Sequence, residues 1–191
     1  MIGSTMAGKQ APSIAGGKYR GTKLQVAEGK ITRPMRTRVR ESLFDILGDR
    51  VHGARVVDLY AGSGSLGLEA LSRGARHCTF VETNRLPLAA LRKNLQACKI
   101  TEEEAIVLPS PVEDADSLLE GPFSIVFADP PFVLGQDLPS WLEKDALVAE
   151  DGVLVQQISA DRIPIRQCRG FSLTDERGYG SSTLCIYFRN H

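Results

Sequence analysis

The stretch Val56-Val57-Asp58-Leu59-Tyr60-Ala61-Gly62-Ser63-Gly64-Ser65-Leu66-Gly67 decides the fold of this chain. A short apolar run ends in an acid, a glycine-rich turn follows, and apolar residues then recur at helical spacing. This order of strand, tight turn and helix opens a doubly wound α/β sheet, in which ligands bind beyond the carboxyl ends of the strands. We therefore predict a Rossmann-like, mostly parallel sheet with a ligand at this turn.

The turn also fits the pattern G-x-G-x-x-G, which on its own is a weak signal. Gly62 and Gly64 would let the backbone approach a ligand, and Gly67 would let the helix pack close to the strand. Asp58 would repel the pyrophosphate of a dinucleotide but suits a cation such as the sulfonium of S-adenosylmethionine, directly or through water. We favour S-adenosylmethionine, with a dinucleotide or a purely structural turn as alternatives. The candidate cofactor residues here are Asp58, Ala61, Gly62, Ser63, Gly64 and Gly67.

Charge is unevenly distributed along the 191 residues, although the net charge is zero. Residues 1–40 carry nine Lys and Arg against one acid, and the remainder carries 14 basic and 22 acidic residues. A basic arm on an acidic body suits a polyanionic partner that is contacted by one end, although an ordinary solvated tail would look similar. The candidate residues for contacting such a partner are Lys18, Arg20, Lys23, Arg33, Arg36, Arg38 and Arg40.

Cysteine and histidine spacing gives no sign of a metal site. The four cysteines lack C-x-x-C spacing and the three histidines are scattered, so we expect buried thiols in a reducing compartment and no metal. No apolar run approaches the length of a membrane span, and the start of the sequence lacks the apolar region of a signal peptide. We expect a cytoplasmic protein without a membrane partner.

The order of patterns along the chain predicts three regions. Residues 1–12 are expected to form a disordered arm, residues 13–35 a basic β-hairpin that contacts the polyanion, and residues 36–191 the α/β domain. Helices are predicted over Thr37–Leu47, from an Asn84 N-cap to about Ala97, and around Leu138–Leu147, with a short helix or loop over Glu113–Glu120. The further strands predicted are His77–Thr83, Ala105–Leu108, Phe123–Ala128, Gly152–Gln157, Ser172–Asp175 and Thr183–Arg189, the last of them antiparallel.

Glu82 lies at the end of the predicted second strand, 20 positions after Gly62. In this architecture that point faces the ribose of the cofactor, and a carboxylate can accept hydrogen bonds from its two hydroxyls. The alternative is an ordinary surface acid. We include Glu82 and the neighbouring Thr83 among the candidate cofactor residues.

The second strong signal is Asp129-Pro130-Pro131-Phe132, which follows a continuous apolar run typical of a buried central strand. Two prolines fix the backbone and leave carbonyls free to accept hydrogen bonds. A carboxylate, a carbonyl and an aromatic ring together could bind a planar amine, such as the exocyclic amine of a nucleobase. Hydrogen bonds accepted from both N–H groups would free the nitrogen lone pair for attack on a methyl group. An ordinary turn after a strand is the alternative.

The two motifs together resemble a class I S-adenosylmethionine-dependent amino-methyltransferase. With four further stretches the sequence resembles the bacterial RsmD family, which methylates the N2 amine of one guanine in 16S ribosomal RNA. Those stretches are Gly16–Gly21, Arg33-Pro34, Arg38–Phe44 and Leu66–Ala75.

The resemblance implies a seven-stranded sheet with a reversed final strand, S-adenosylmethionine as the methyl donor, and the RNA of the assembled small ribosomal subunit as the substrate. It places the catalytic tetrapeptide at Asp129–Phe132, the ribose acid at Glu82 and the adenine beside Val112. Arg33 to Arg40 would lie beside the cofactor pocket. The polyanion contacted by the hairpin and by the seven basic candidates would then be this RNA, so they become the predicted RNA-binding residues. The chain departs from the family pattern at Met35 and Arg36, at Pro111 and Val112, and at Gln156.

Several functions remain compatible with these patterns. The favoured one is a monomeric guanine-N2 methyltransferase acting on 16S RNA. An amino-methyltransferase acting on adenine N6 or on a protein glutamine would use the same tetrapeptide chemistry. A ribosome-assembly module that binds RNA without catalysis, and a nicotinamide-dependent dehydrogenase, are alternatives from other classes.

Overall fold

The computed structural model describes residues 11–27, 35–130, 138–144 and 146–190. Within them a single twisted sheet is covered by helices on both sides. The α-helices are α1 (Thr37–Leu47), α2 (Ser65–Ser72) and α3 (Arg85–Ala97), and 3₁₀ helices span Gly48–Val51, Val112–Leu118 and Ser140–Glu143. The strands are β1 (Arg55–Leu59), β2 (His77–Val81), β3 (Ala105–Leu108), β4 (Phe123–Ala128), β5 (Val148–Ser159), β6 (Gln167–Cys168), β7 (Phe171–Tyr179) and β8 (Ser182–Arg189).

The sheet has the strand order β3-β2-β1-β4-β5-β8-β7-β6. The first five strands pair in parallel, and β8 runs antiparallel to both of its neighbours, β5 and β7. The Rossmann-like, mostly parallel fold predicted from the sequence is therefore confirmed. The described residues form eight strands instead of seven, because the two-residue strand β6 adds a short antiparallel edge beside β7.

Some predicted elements differ from the structure. β5 begins four residues before Gly152 and ends two residues after Gln157. The predicted helix around Leu138–Leu147 is wrong over the residues described, where only the 3₁₀ helix follows Pro139. Asn84 precedes α3 as predicted, but its side chain forms no capping hydrogen bond. The backbone N–H of Asn84 instead donates to Oε1 of Glu82 (2.7 Å), so this acid controls the start of the helix.

The described residues bury an apolar cluster on each face of the sheet. Because side chains alternate along a strand, Phe127 of β4 contributes to one cluster and its neighbour Val126 to the other. We call the side covered by residues 11–27, α1, α2 and α3 the helical face. The side covered by the 3₁₀ helices Val112–Leu118 and Ser140–Glu143 is the opposite face.

Residues 11–27, which we call the N-terminal segment, form part of the helical face. Ile14 and Leu24 are each 1% exposed and belong to the same cluster as α1 and α2. The predicted hairpin is reduced to one antiparallel bridge, between Ser13 and Lys23. Pro12, assigned to the disordered arm, accepts a hydrogen bond from the Leu24 N–H (2.7 Å). The rest of the predicted arm (residues 1–10) and residues 28–34 of the predicted hairpin lie outside the described residues.

The cysteines are free thiols; Cys78, Cys98 and Cys185 are buried, and Cys168 is half-buried. Over the ranges given above, no three His, Cys, Asp or Glu side chains lie close enough to hold a metal ion. No helix in those ranges has both the length and the apolar character needed to cross a membrane.

Candidate active site

The carboxyl ends of β1, β2 and β4 lie side by side. Leu59, the last residue of β1, pairs with Val81 of β2 and Ala128 of β4. The residues that follow these three, Tyr60, Glu82 and Asp129, therefore stand at one level of the sheet edge. Two motifs separated by more than 60 positions in the sequence thus meet at one site.

Of the three glycines in this motif, Gly62 has free space around its Cα, whereas Gly64 and Gly67 are closely packed. Gly62 has a φ of 56°, and the nearest described atom to a Cβ there would be the Tyr60 carbonyl oxygen at 3.9 Å. A Cβ on Gly64 (φ 83°) would lie 2.4 Å from Leu91, and one on Gly67 would lie 2.3 Å from Phe80. Gly62 therefore leaves room for a ligand. Gly64, predicted to serve ligand approach, instead allows α3 to pack closely.

Asp58 lies beneath the turn. Its side chain is 2% exposed, and its Oδ2 accepts a hydrogen bond from the Gly67 N–H (2.9 Å), which fixes the first turn of α2. Burial raises the pKa of Asp58 to about 8, against the opposing effect of that hydrogen bond, and the charges of Asp129 and Glu82 raise it further. The described contacts of Asp58 therefore support the glycine turn, and its contact with a ligand stays a prediction.

Glu82 is held at both oxygens. Oε2 accepts the Gly62 N–H (2.9 Å) and Oε1 accepts the Asn84 N–H, and the residue is buried while Thr83 beside it is exposed. Each carboxylate oxygen has a second lone pair, so both can still accept a hydrogen bond from a ligand hydroxyl. The acid is therefore oriented before a ligand arrives.

Asp129 follows β4 at the same edge and is half-buried, with Pro130 buried behind it. Burial raises the pKa of Asp129 to about 7. A carboxyl group with this pKa can gain or lose a proton near neutral pH. Pro131 and Phe132, the second half of the predicted tetrapeptide, lie outside the described residues.

Val112 is the residue predicted to lie beside the adenine of the cofactor. This residue is 4% exposed and begins the 3₁₀ helix after β3. Its carbonyl accepts a hydrogen bond from the indole N–H of Trp141 (2.9 Å), which links the two 3₁₀ helices of the opposite face. The backbone of the glycine turn is held by two hydrogen bonds. The Ala61 N–H donates to the Val81 carbonyl, and the Ser63 carbonyl accepts from Nδ2 of Asn94.

Arg40 is a correction to the predicted RNA-binding set. The residue is fully buried, and its Nε donates to Oε2 of Glu69 (3.1 Å), while its terminal nitrogens reach the carbonyls of Ser13 and Met35. A guanidinium enclosed in this way is unavailable to phosphate, so the prediction for Arg40 is wrong. Arg73 completes the pairing, donating from Nε to Oε1 of Glu69 (2.8 Å).

The structure separates the other predicted RNA-binding residues. Lys18, Arg20, Lys23, Arg36 and Arg38 are exposed, and Arg33 lies outside the described residues. The Lys18 N–H donates to the carbonyl of Ser72, the last residue of α2, and its ammonium lies 4.0 Å from Glu104. Eight helical residues rise about 12 Å, so Lys18 stands at the far end of α2 from the glycine turn. Arg36 and Arg38 lie instead at the start of α1.

Of the residues that depart from the family pattern, Met35, Val112 and Gln156 are buried, whereas Arg36 and Pro111 are exposed. Met35 and Gln156 are 3% and 1% exposed, and Pro111 directly precedes the 3₁₀ helix of Val112. Met35 packs in the apolar cluster of the helical face, which accounts for an apolar residue there.

Asn94 is a residue that the sequence reasoning missed. It is 1% exposed, and its Nδ2 donates to the carbonyl of Ser63 in the glycine turn (2.9 Å) and to that of Gln25 (2.9 Å). Its Oδ1 accepts the Gln25 N–H (2.8 Å). The available signal was an amide within the apolar stripe of Leu88, Leu91 and Leu95.

Comparison with known proteins places this site in a family. The sequence model of the family described as conserved hypothetical protein 95 matches residues 13–188. Ribosomal RNA small subunit methyltransferase D of Haemophilus influenzae is 42% identical over 181 residues, covering 91% of this chain and 92% of that protein. The Escherichia coli protein of the same name is 38% identical over 178 residues, covering 92% and 89%.

Solved structures agree. The Escherichia coli protein yhhF, described as a candidate methyltransferase, superimposes with a TM-score of 0.81 at 35% identity, covering 94% of this chain and 98% of that one. A structure from Haemophilus influenzae, described as that of a candidate methylase, gives a TM-score of 0.75 at 31% identity, covering 94% of this chain and 98% of that one. The resemblance predicted from the motifs is confirmed, and the chain belongs to the conserved hypothetical protein 95 family, the family of ribosomal RNA small subunit methyltransferase D.

Proposed function

We propose that this protein transfers a methyl group from S-adenosylmethionine to the exocyclic N2 amine of one guanine in the 16S RNA of the small ribosomal subunit. The observation that carries the proposal is the meeting of Glu82, Asp129 and the open side of Gly62 at one sheet edge. The relatives named as small subunit ribosomal RNA methyltransferases support the class of substrate. The choice of guanine N2 rests on the resemblance of the motifs.

The described residues fit the proposed cofactor. Glu82 offers two oriented oxygens to ribose hydroxyls, and Gly62 leaves space beside them. Burial and mutual repulsion raise the pKa of Asp58, and burial raises that of Asp129. A cation bound nearby would relieve this cost of ionising the acids. When bound, S-adenosylmethionine supplies a methyl group on a sulfonium, and that carbon–sulfur bond breaks as the new carbon–nitrogen bond forms.

Asp129 performs the protein's part of the reaction. Its carboxylate accepts a hydrogen bond from the guanine amine and so orients the nitrogen and increases its electron density. Once the nitrogen is methylated it carries an extra proton, which passes to Asp129 or to water. A pKa of about 7 lets the carboxyl group accept the hydrogen bond when ionised and release a captured proton afterwards.

The test uses small subunits from a bacterial strain that lacks the corresponding methylation, with S-adenosylmethionine labelled in its methyl group. We expect label in 16S RNA, recovered as N2-methylguanine at one position. We expect the Asp129→Asn variant to lose at least about 100-fold in rate while it binds S-adenosylhomocysteine as the wild type does. Full activity in that variant would remove Asp129 from the mechanism.

The location of the label separates the competing functions. Label on adenine N6 or on a protein would replace the proposed substrate with that of another amino-methyltransferase. RNA binding without label would favour an assembly module, and stabilisation by NAD alone would favour a dehydrogenase. Our proposal includes action as a cytoplasmic monomer, to be checked by sedimentation with and without the subunit.

A further inference from the structure

The outer surface of α3 is basic. Its 13 residues include Arg85, Arg92 and Lys93 and no acid, and Lys99 lies two residues after the end of the helix. All four side chains are exposed, and none forms an ion pair with another described residue. Exposed helical cations usually alternate with acids, so an unpaired row requires a separate explanation.

The N-terminal segment extends this basic surface. Thr22 contacts the thiol of Cys98 at the end of α3, and Gln25 pairs with Asn94 one turn earlier. The segment therefore runs antiparallel along α3, which brings Lys23 alongside the helix. Residues 11–27 contain no acid. Lys18 lies 4.0 Å from Glu104, whereas Lys23 forms no ion pair with another described residue.

Other flanks of the molecule differ in charge. On the opposite face, residues 109–120 carry four acids and no base, and Glu113, Asp114 and Glu120 are exposed. At the far edge of the sheet, Arg166 and Arg177 are each within salt-bridge distance of an acid. These flanks would repel phosphate or offer it only neutralised cations.

We infer that Lys23, Arg85, Lys93 and Lys99, here called the α3 surface, bind backbone phosphates of the substrate RNA. Arg92 is left out because it lines a cavity together with Glu102. The inference rests on the proposed function and adds which side of the molecule the RNA covers.

The α3 surface is joined to the active site. Arg85 lies three residues beyond Glu82, at the end of α3 nearest the ligand edge. Asn94 hydrogen-bonds both Ser63 of the glycine turn and Gln25 of the N-terminal segment. The 13-residue helix is about 20 Å long, enough for several phosphates along one strand. Phosphate contacts of this kind position an RNA without reading its sequence.

The experiment compares two charge reversals of equal size. Arg85→Glu with Lys93→Glu alters the α3 surface, and Lys144→Glu with Arg169→Glu alters exposed cations elsewhere. The dissociation constant for the unmethylated small subunit is measured at several salt concentrations. We expect the first variant to bind at least about 10-fold more weakly, with a salt slope reduced by about one for each lost phosphate contact, and the control to stay within about twofold.

Three results would overturn the inference while leaving the proposed function in place. The first is an unchanged affinity of the α3 variant for the subunit, the second an equal loss of affinity in both variants, and the third a loss of affinity with an unchanged salt slope. Each applies when the wild type methylates 16S RNA. A wild type that neither binds nor methylates the subunit would instead refute the proposed function. The affinity for S-adenosylhomocysteine is measured for each variant as a check on the cofactor site. If Arg85→Glu lowers that affinity, Lys93→Glu with Lys99→Glu replaces the first pair.

Discussion

The two faces of the sheet are built by different means. On the helical face, buried polar groups cross between elements: Glu69 accepts hydrogen bonds from Arg40, Arg73 and the backbone N–H groups of Ala15 and Gly16. On the opposite face, 3₁₀ helices rest on apolar packing, with the indole bond of Trp141 as a buried polar link. The exposed side chains of the helical face include Arg85, Lys93 and Lys23, and those of the opposite face include Glu113, Asp114 and Glu120.

This difference has a physical basis. Docking an extended segment onto helices leaves backbone groups that require partners, and buried carboxylate and amide side chains supply them. Such partners tolerate loss poorly, because removing one leaves the others buried and unsatisfied. Removing a buried polar partner should therefore lower the free energy of unfolding more on the helical face than on the opposite face.

The largest effect is expected from Glu69→Ala. The substitution leaves Arg40 buried without its counter-charge and two N–H groups without an acceptor, so we expect the free energy of unfolding to fall by about 3–5 kcal/mol. Urea denaturation followed by circular dichroism measures this change. Glu41→Ala, an exposed acid on α1, is the control and should stay within about 0.5 kcal/mol. Equal effects would contradict a specific role for the network.

A smaller loss is expected from Asn94→Ala. Removing this amide leaves the N–H and carbonyl of Gln25 and the carbonyl of Ser63 without their partner, for about 1–3 kcal/mol of stability. Because Ser63 belongs to the glycine turn, affinity for S-adenosylhomocysteine should fall as well, as calorimetry would measure. Gln96→Ala, on the exposed side of the same helix, should change neither quantity.

The rate of methyl transfer should depend on pH through Asp129, at the carboxyl ends of the strands. Asp129 has its pKa raised to about 7, so it is mostly protonated at pH 6 and mostly ionised at pH 8. Since the ionised form accepts the amine, kcat/KM should rise with pH up to about 7, by at most tenfold per pH unit, and then level off. Coupling to Asp58 makes the midpoint a property of the pair. A flat profile between pH 5.5 and 8, with chemistry rate-limiting, would contradict the role of Asp129.

Trp141→Phe should have the smallest effect. It removes the hydrogen bond to the Val112 carbonyl but keeps most of the apolar contact, so we expect a loss of about 1 kcal/mol. Denaturation in urea gives the value. A loss as large as that of Glu69→Ala would reverse the ranking of the two faces.

The sequence was most informative where structure is local. The bounds of α1, β3 and β4 agree with prediction because apolar spacing and turn residues report directly on such elements. The helix around Leu138–Leu147 failed over its described part because an apolar pattern there does not overcome Pro139 and a short run. That Glu82 and Asp129 lie at one edge could be predicted because the carboxyl ends of parallel strands share an edge; their roles stay predictions.

The long-range partners could not be predicted. Arg40 was counted as a surface cation because arginine is usually exposed, and nothing in the sequence relates it to Glu69, 29 positions away. The row on α3 was overlooked because charge was counted by position along the chain, where Arg85 and Lys93 fall within an acidic remainder. Only the fold places them beside Lys23.

The docking of the N-terminal segment has a consequence for how the chain reaches its native state. Ala15, Gly16 and Gln25 bond to side chains that lie 53 to 69 positions later. During synthesis the segment leaves the ribosome before its partner side chains have been made. It therefore remains undocked until α3 has been synthesised. We expect the first part of the chain to leave the exit tunnel early and to dock late, because contacts so distant form slowly.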